Sequence, residues 1–343
     1  MAPIGLLHRL KTYYSKEPVQ KAPAISPRSA VLLSILFTLI YVIPFYLSSA
    51  TRPSPQLSRD VPSSIRARIR AVTLSCPLSA LIAIYVIVQW GDASPAETLK
   101  LLGWWPVSLV DIGKTLLLVA ILFAGPLFEA GIAEGGWKDW LRGTHVREVL
   151  SSWMGYRNFV AGPITEELIW RSLVIPLHLL AKFSPTQIIF ITPLYFGIAH
   201  IHHYYEFRLT HPHTHAIPAV IRSLFQFTYT SLFGFFAAFI FLRTGNVFAI
   251  ILAHSFCNWM GLPRFWGRVR AHDVPPTKLN DVGKKEDGER PGKGEPVDDG
   301  SLPIGWTIAY YVLLVSGAIG FYLQLYPLTE SKYALPVYQG NPK

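Results

Sequence analysis

The chain has 343 residues, 51% of them hydrophobic and only 15% charged, with a mean hydropathy of +0.32 and a formal net charge of +10. Its apolar residues come in long blocks without the period-3.6 polar face of soluble helices, which excludes a large soluble helical core and points to a membrane protein. The positive charge lies mainly beside those blocks, as at Arg66, Arg68 and Arg70, where it sets topology and meets anionic lipid, so nucleic acid is excluded as a partner.

In chain order, an N-terminal extramembrane segment (1–28) precedes eight apolar blocks. These are Ala30 to Ser48, Ala71 to Trp90, Ile112 to Phe128, Phe159 to Ala181, Thr186 to His200, Ala216 to Phe241, Asn246 to Met260 and Trp306 to Tyr326. Most approach the roughly 20 residues a helix needs to cross the hydrocarbon, and the fifth and seventh read as shorter helices ending beside a water-filled cavity. The first block, "VLLSILFTLIYVIPFYL", is long and lacks a small-residue cleavage site, so it is expected to be a retained helix and not a signal peptide. The fold class expected is all-α: a polytopic membrane protein with about eight transmembrane helices around an intramembrane catalytic cavity. One transmembrane domain covers 29–326, with a catalytic core at about 155–262, a mobile polar loop over 263–303 rich in Gly, Pro and charges, and a C-terminal tail at 327–343. Cys76 and Cys257 form no disulfide framework or CxxC site, and no nucleotide-binding motif or internal repeat supports a pump.

Lys and Arg are about twice as frequent on one side of this eight-helix layout as on the other, and the positive-inside bias assigns that richer side to the cytosol. It is the side on which the fourth helix begins and the fifth and seventh end.

The fourth block, "GPITEELIWRSLVIPLHLL", carries Glu166, Glu167 and Arg171. Each costs about 2.5–3.5 kcal/mol near the centre of a membrane helix, so the three together cost on the order of 8–10 kcal/mol. Glu167 and Arg171 are four apart with the glutamate first, the favourable order for an ion pair on one helical face. Glu166 lies about 100° around the helix and has no such local partner. Polar chemistry recurs downstream. The fifth block ends in "FGIAHIHH", with Phe196 and His200 four apart and His202 and His203 following; the seventh holds "HSFCN", with His254 and Asn258 four apart. Such a set can activate water for hydrolysis, bind zinc through its histidines, or relay protons. HExxH is absent, and the first, second and eighth helices lack the polar residues a transport path needs.

"EELIWR", "FGIAHIHH" and "HSFCN" resemble, in order, the EExxxR, FxxxH and HxxxN motifs of the membrane-embedded CAAX endopeptidases, the Ras-converting CAAX prenyl protease 2 family. By motif the resemblance covers about residues 160–260. It implies a metal-independent glutamate-type peptide hydrolase with no cofactor and no metal site. The resemblance also implies the roles. Glu166 works with His200 to activate the attacking water, His254 and Asn258 stabilise the oxyanion, and Glu167, Arg171 and Phe196 support the site. The implied reaction removes the C-terminal aaX tripeptide from farnesylated or geranylgeranylated CaaX proteins such as Ras-like GTPases, with membrane lipid as the surrounding partner. The implied location is the endoplasmic reticulum membrane, multi-pass, with the active site facing the cytosol. Alternatives are a zinc-dependent intramembrane protease using the same histidines, or a non-enzymatic chaperone or transporter on the same fold.

Overall fold

The computed structural model describes residues 22–55, 58–271 and 302–335. Among them there is no β-strand. Helix α1 (Pro27–Leu47) starts where the Ser26 side chain accepts from the Ser29 amide and Pro27 occupies the first turn. It is followed by α2 (Pro62–Gln89), the short α3 (Pro95–Leu101), and α4 (Leu109–Leu122) with α5 (Ala124–Ala133), which meet at a bend of 82°. Two short helices, α6 (Trp137–Arg142) and α7 (Thr144–Ser151), lead into α8 over residues 153–180. Then come α9 (Pro185–Ala199), α10 (His202–Thr210), α11 (Ala216–Thr244), α12 (Val247–Met260) and α13 (Ile304–Gln324).

Each of the eight apolar blocks forms helix, but fewer qualify as spans. By length and composition α1, α2, α11 and α13 can cross a membrane, and the bent α4–α5 pair makes a fifth if counted as one span. The fourth block lies in α8, whose buried charges set it apart from a plain lipid-facing span. The fifth and seventh blocks are the short α9 and α12, 15 and 14 residues long. Of the expected peripheral segments, 1–21, 272–301 and 336–343 lie outside the described residues. The first part of the C-terminal tail is packed: the Leu335 amide donates to the Leu242 carbonyl at 2.9 Å, and Leu335 is fully buried.

Helix α8 is not a regular α-helix. Its turns at Arg157–Ala161 and Leu168–Leu173 are π-helical. In the first of these the Gly162 amide donates five residues back to the Arg157 carbonyl. The next amide in that register would be that of Pro163, which has no N–H. The Asn158 carbonyl is thereby left for a partner on another helix, as is that of Phe159, four residues before the proline.

Around α8 pack two apolar clusters. One joins Phe37 and Tyr41 of α1, Ile87 of α2, Trp170 and Leu173 of α8, and Phe196 of α9. The other joins Leu118 of α4, Ile175 of α8, Phe241 of α11 and Val247 of α12. Tyr41 Oη and Thr165 Oγ1 share a hydrogen bond of 2.9 Å, and Trp104 Nε1 donates to Ser172 Oγ at 2.8 Å, so polar contacts as well as packing fix the rotation of α8.

Helices α9 and α11 pack closely against each other at two glycines. A Cβ at Gly197 would lie 2.7 Å from Ser231 Oγ, and one at Gly234 would lie 2.5 Å from Pro193 Cβ and 3.3 Å from Arg171 Nη2. Replacing Gly234 by alanine therefore overpacks a rigid proline ring and crowds a buried guanidinium. The expected cost is about 1–3 kcal/mol, read as a lowered melting temperature of the purified protein in detergent. Gly113→Ala, whose Cβ meets nothing within 4 Å, is the matched control: it adds no clash and gains helix propensity, so it does not lower the melting temperature.

Candidate active site

Glu166 and Glu167 end the middle α-helical stretch of α8, and Arg171 follows one turn on, inside its second π-helical turn. Glu167 and Arg171 are essentially inaccessible, at 0% and 1% side-chain exposure, which in a membrane helix is tolerable only with close partners. Arg171 Nε stands 3.1 Å from Glu167 Oε2, and Arg171 Nη1 donates to Glu167 Oε1 at 3.1 Å. The i,i+4 pair expected from the spacing is present. The guanidinium is also enclosed by aromatic faces, 4.7 Å from the Phe196 ring and 5.6 Å from the Phe233 ring.

His254, from α12, joins the two carboxylates. Its Nδ1 lies 2.7 Å from Glu167 Oε1, and its Nε2 faces Glu166 Oε2 at 3.8 Å, beyond direct hydrogen-bond reach. A carboxylate can only accept, so Nδ1 carries the proton toward Glu167. This contact adds a partner to Glu167 beyond the Arg171 pair read from the spacing. Glu167 binds both Arg171 and His254, so it holds α8 to α12. Glu166 keeps 22% of its side chain exposed, toward the cavity.

His200 caps the end of α9. Its Nδ1 donates to the Phe196 carbonyl at 2.8 Å, which leaves Nε2 as the acceptor nitrogen. Phe196 packs edge-on against His200 with ring centroids 4.5 Å apart, so the same ring touches both Arg171 and His200. Asn258, one turn after His254, donates through Nδ2 to the freed Asn158 carbonyl at 2.9 Å. Ser255 similarly donates to the Phe159 carbonyl at 2.8 Å. The orientation of the "HSFCN" helix is thus set by the break that Pro163 makes in α8.

Glu166, His200, His254 and Asn258 all line one cavity of about 790 Å³. Phe196 and Trp170 form part of its wall, and Glu167 and Arg171 lie behind that wall. One end is polar, with Arg59, Arg157, His202 and His203; the other is apolar, with Val119, Leu122, Phe236 and Phe321. Of the polar residues on α11, Gln226 reaches the cavity, whereas Arg222 stacks on Phe207 at 4.5 Å. His178 is buried against Phe183 and Tyr195, and Glu129 pairs with Arg264 at 2.6 Å. Sequence reasoning missed Asn158, because its contribution is a backbone carbonyl. It also counted Arg59 and Arg157 only as topology charges. The signal that pointed to Asn158 was the Gly-Pro pair just ahead of the two glutamates.

His202, His203 and Glu206 each bring one potential metal-ligand atom within 4.8 Å of the others, the only such group among the described residues. Glu206 is already engaged there by Arg68 at 2.6 Å, a cation competing for the same carboxylate.

Residues 148–260 match the family model described as Type II CAAX prenyl endopeptidase Rce1-like, a segment that contains every motif discussed above. The chain is 36% identical over 238 residues to a protein of Schizosaccharomyces pombe named Probable CAAX prenyl protease 2, covering 69% of this chain and 83% of that one. It is 33% identical over 228 residues to the CAAX prenyl protease 2 of Homo sapiens, covering 64% and 68% respectively. With the CAAX prenyl protease 2 of Arabidopsis thaliana it shares 32% identity over 263 residues, covering 70% and 82%. No solved structure matches it. With its ordered motifs on α8, α9 and α12 and this extent of identity, the chain belongs to the type II CAAX prenyl endopeptidase family.

Proposed function

We propose that this chain is a peptide hydrolase that removes the C-terminal aaX tripeptide from prenylated CaaX proteins, Ras-like GTPases among them. The observation that carries the proposal is the meeting of Glu166, His200, His254 and Asn258, from three helices, in one cavity with an apolar end. A prenyl chain suits that apolar end, while the peptide lies along the polar end, where its scissile bond reaches Glu166. The excess of Lys and Arg on one side of the helical layout supports a cavity open to the cytosol, and the membrane in which the chain acts is taken to be that of the endoplasmic reticulum.

In this reading Glu166 takes a proton from a water molecule while His200 Nε2 accepts its other hydrogen bond, directing the oxygen at the scissile carbonyl carbon. The new C–O bond turns the carbonyl oxygen into an oxyanion. His254 donates to that oxyanion from Nε2, which it can do only as the doubly protonated ring, with the Glu167 carboxylate at Nδ1 as its counter-charge. The second N–H of the Asn258 amide is the other donor. Collapse breaks the C–N bond, and the leaving amine receives the proton held by Glu166. Glu167, Arg171 and Phe196 position the reacting groups without touching the substrate. The water and the glutamate supply the chemistry without a metal.

Glu166→Gln removes the base and His200→Ala the acceptor nitrogen, so each lowers the rate of cleavage of a farnesylated CaaX peptide by about 10²–10⁴-fold. The check is single-turnover hydrolysis by purified protein in detergent; if both variants keep the wild-type rate, the assignment of these residues fails. The His202, His203 and Glu206 group favours one competing reading, a zinc protease. Exhaustive chelation is expected to leave the cleavage rate unchanged, and a loss of activity that returns with added zinc supports the metal instead.

A further inference from the structure

At the polar end of the cavity three arginines face two carboxylates, and the pairing is uneven. Arg68 Nη2 takes Glu206 Oε1 at 2.6 Å, and Arg157 Nη1 takes Asp60 Oδ1 at 2.7 Å. Arg59 is left with the outer reach of both: 3.6 Å to Glu206 Oε2 and 3.8 Å to Asp60 Oδ1. Both carboxylates are thus neutralised by tighter partners, and the charge of Arg59 is the surplus. The nearest neutral group is His203, whose Nδ1 stands 2.9 Å from Arg59 Nη1 and 3.1 Å from Glu206 Oε2 and serves one or the other according to its tautomer. The Arg59 side chain keeps 39% of its surface exposed, against 11% for Arg68 and 23% for Arg157, and it lines the same cavity as Glu166 and His200.

A surplus guanidinium in a partly enclosed cavity is matched to one additional carboxylate, which it can grip with two parallel N–H donors. Position narrows the choice. His203 packs against His200 with ring centroids 5.6 Å apart, and its Nδ1 stands 2.9 Å from Arg59 Nη1, so His203 bridges the two. An extended tripeptide covers about 10 Å, enough to run from a bond held at His200, past His203, to Arg59. Resting on the function proposed above, the geometry points to Arg59 as the specificity-determining residue that receives the free terminal carboxylate of the substrate. Cleavage then falls three residues from the chain end because Arg59 fixes that end relative to Glu166. Glu206 and Asp60 hold Arg68 and Arg157 in place beside it and leave Arg59 to the substrate.

The test uses the full chain, purified in detergent, and two farnesylated peptides identical except that one ends in a carboxylate and the other in a carboxamide. Wild type is expected to cleave the acid with a kcat/KM about tenfold or more above that of the amide. Arg59→Gln brings the acid down to the amide rate and leaves the amide rate unchanged, and Arg59→Lys restores part of the preference. The acid-to-amide ratio is the readout because a merely structural role does not move it. Equal loss on both peptides in Arg59→Gln, an unchanged ratio in that variant, or the absence of any acid preference in wild type overturns the inference while leaving the proposed reaction standing. If wild type cleaves neither peptide, the proposed function falls and the inference falls with it.

Discussion

The structure depends on keeping one guanidinium charged inside a bundle of membrane helices. Arg171 is 1% exposed, and an isolated cation there would cost several kcal/mol. Glu167 supplies the opposing charge from one turn away, and His254 takes up the same carboxylate from α12. The rings of Phe196 and Phe233 enclose the guanidinium, and Gly234 leaves room for it. A single buried ion pair thus ties α8, α9 and α12, the helices that bring Glu166, His200 and His254 to one cavity, to α11 as well. Losing either partner leaves an uncompensated buried charge, so the site and the fold around it stand on the same contact.

The same arrangement divides the glutamates by environment. Glu167 is enclosed and doubly engaged, while Glu166, adjacent in sequence and turned about 100° away, faces the cavity with part of its surface open. Two identical side chains in succession acquire different capacities because the helix points one inward at cations and the other at solvent-accessible space. The cavity itself is graded from an arginine- and histidine-rich end to an apolar end, which suits a substrate that is peptide at one end and lipid at the other.

Irregularity in α8 contributes to this placement. An unbroken α-helix would consume the carbonyls of Asn158 and Phe159 internally, leaving Asn258 and Ser255 without those acceptors. Pro163 and the π-helical turn before it release both carbonyls, and α12 docks onto them with hydrogen bonds of 2.9 Å and 2.8 Å. A backbone defect in one helix therefore becomes the register of its neighbour.

Much of this was legible in the chain itself. The apolar blocks announced helices in a membrane, because a spanning backbone has to satisfy its hydrogen bonds internally and only long apolar runs allow it. The four-residue spacings of Glu167 with Arg171, Phe196 with His200 and His254 with Asn258 each put a pair on one helical face, which is a local property that sequence carries. The number of spans was less secure: four or five helices meet the length and composition expected of a span, since α8 carries buried charges and α9 and α12 are short. What links one helix to another was decided only by tertiary structure. Spacing does not reveal that His254 would bind Glu167, that Asn258 would find the Asn158 carbonyl, or that Arg59 would be the arginine left over beside Glu206 and Asp60. Those facts depend on which faces meet across residues about a hundred positions apart, and the packing of helices, not the periodicity of any one of them, sets that.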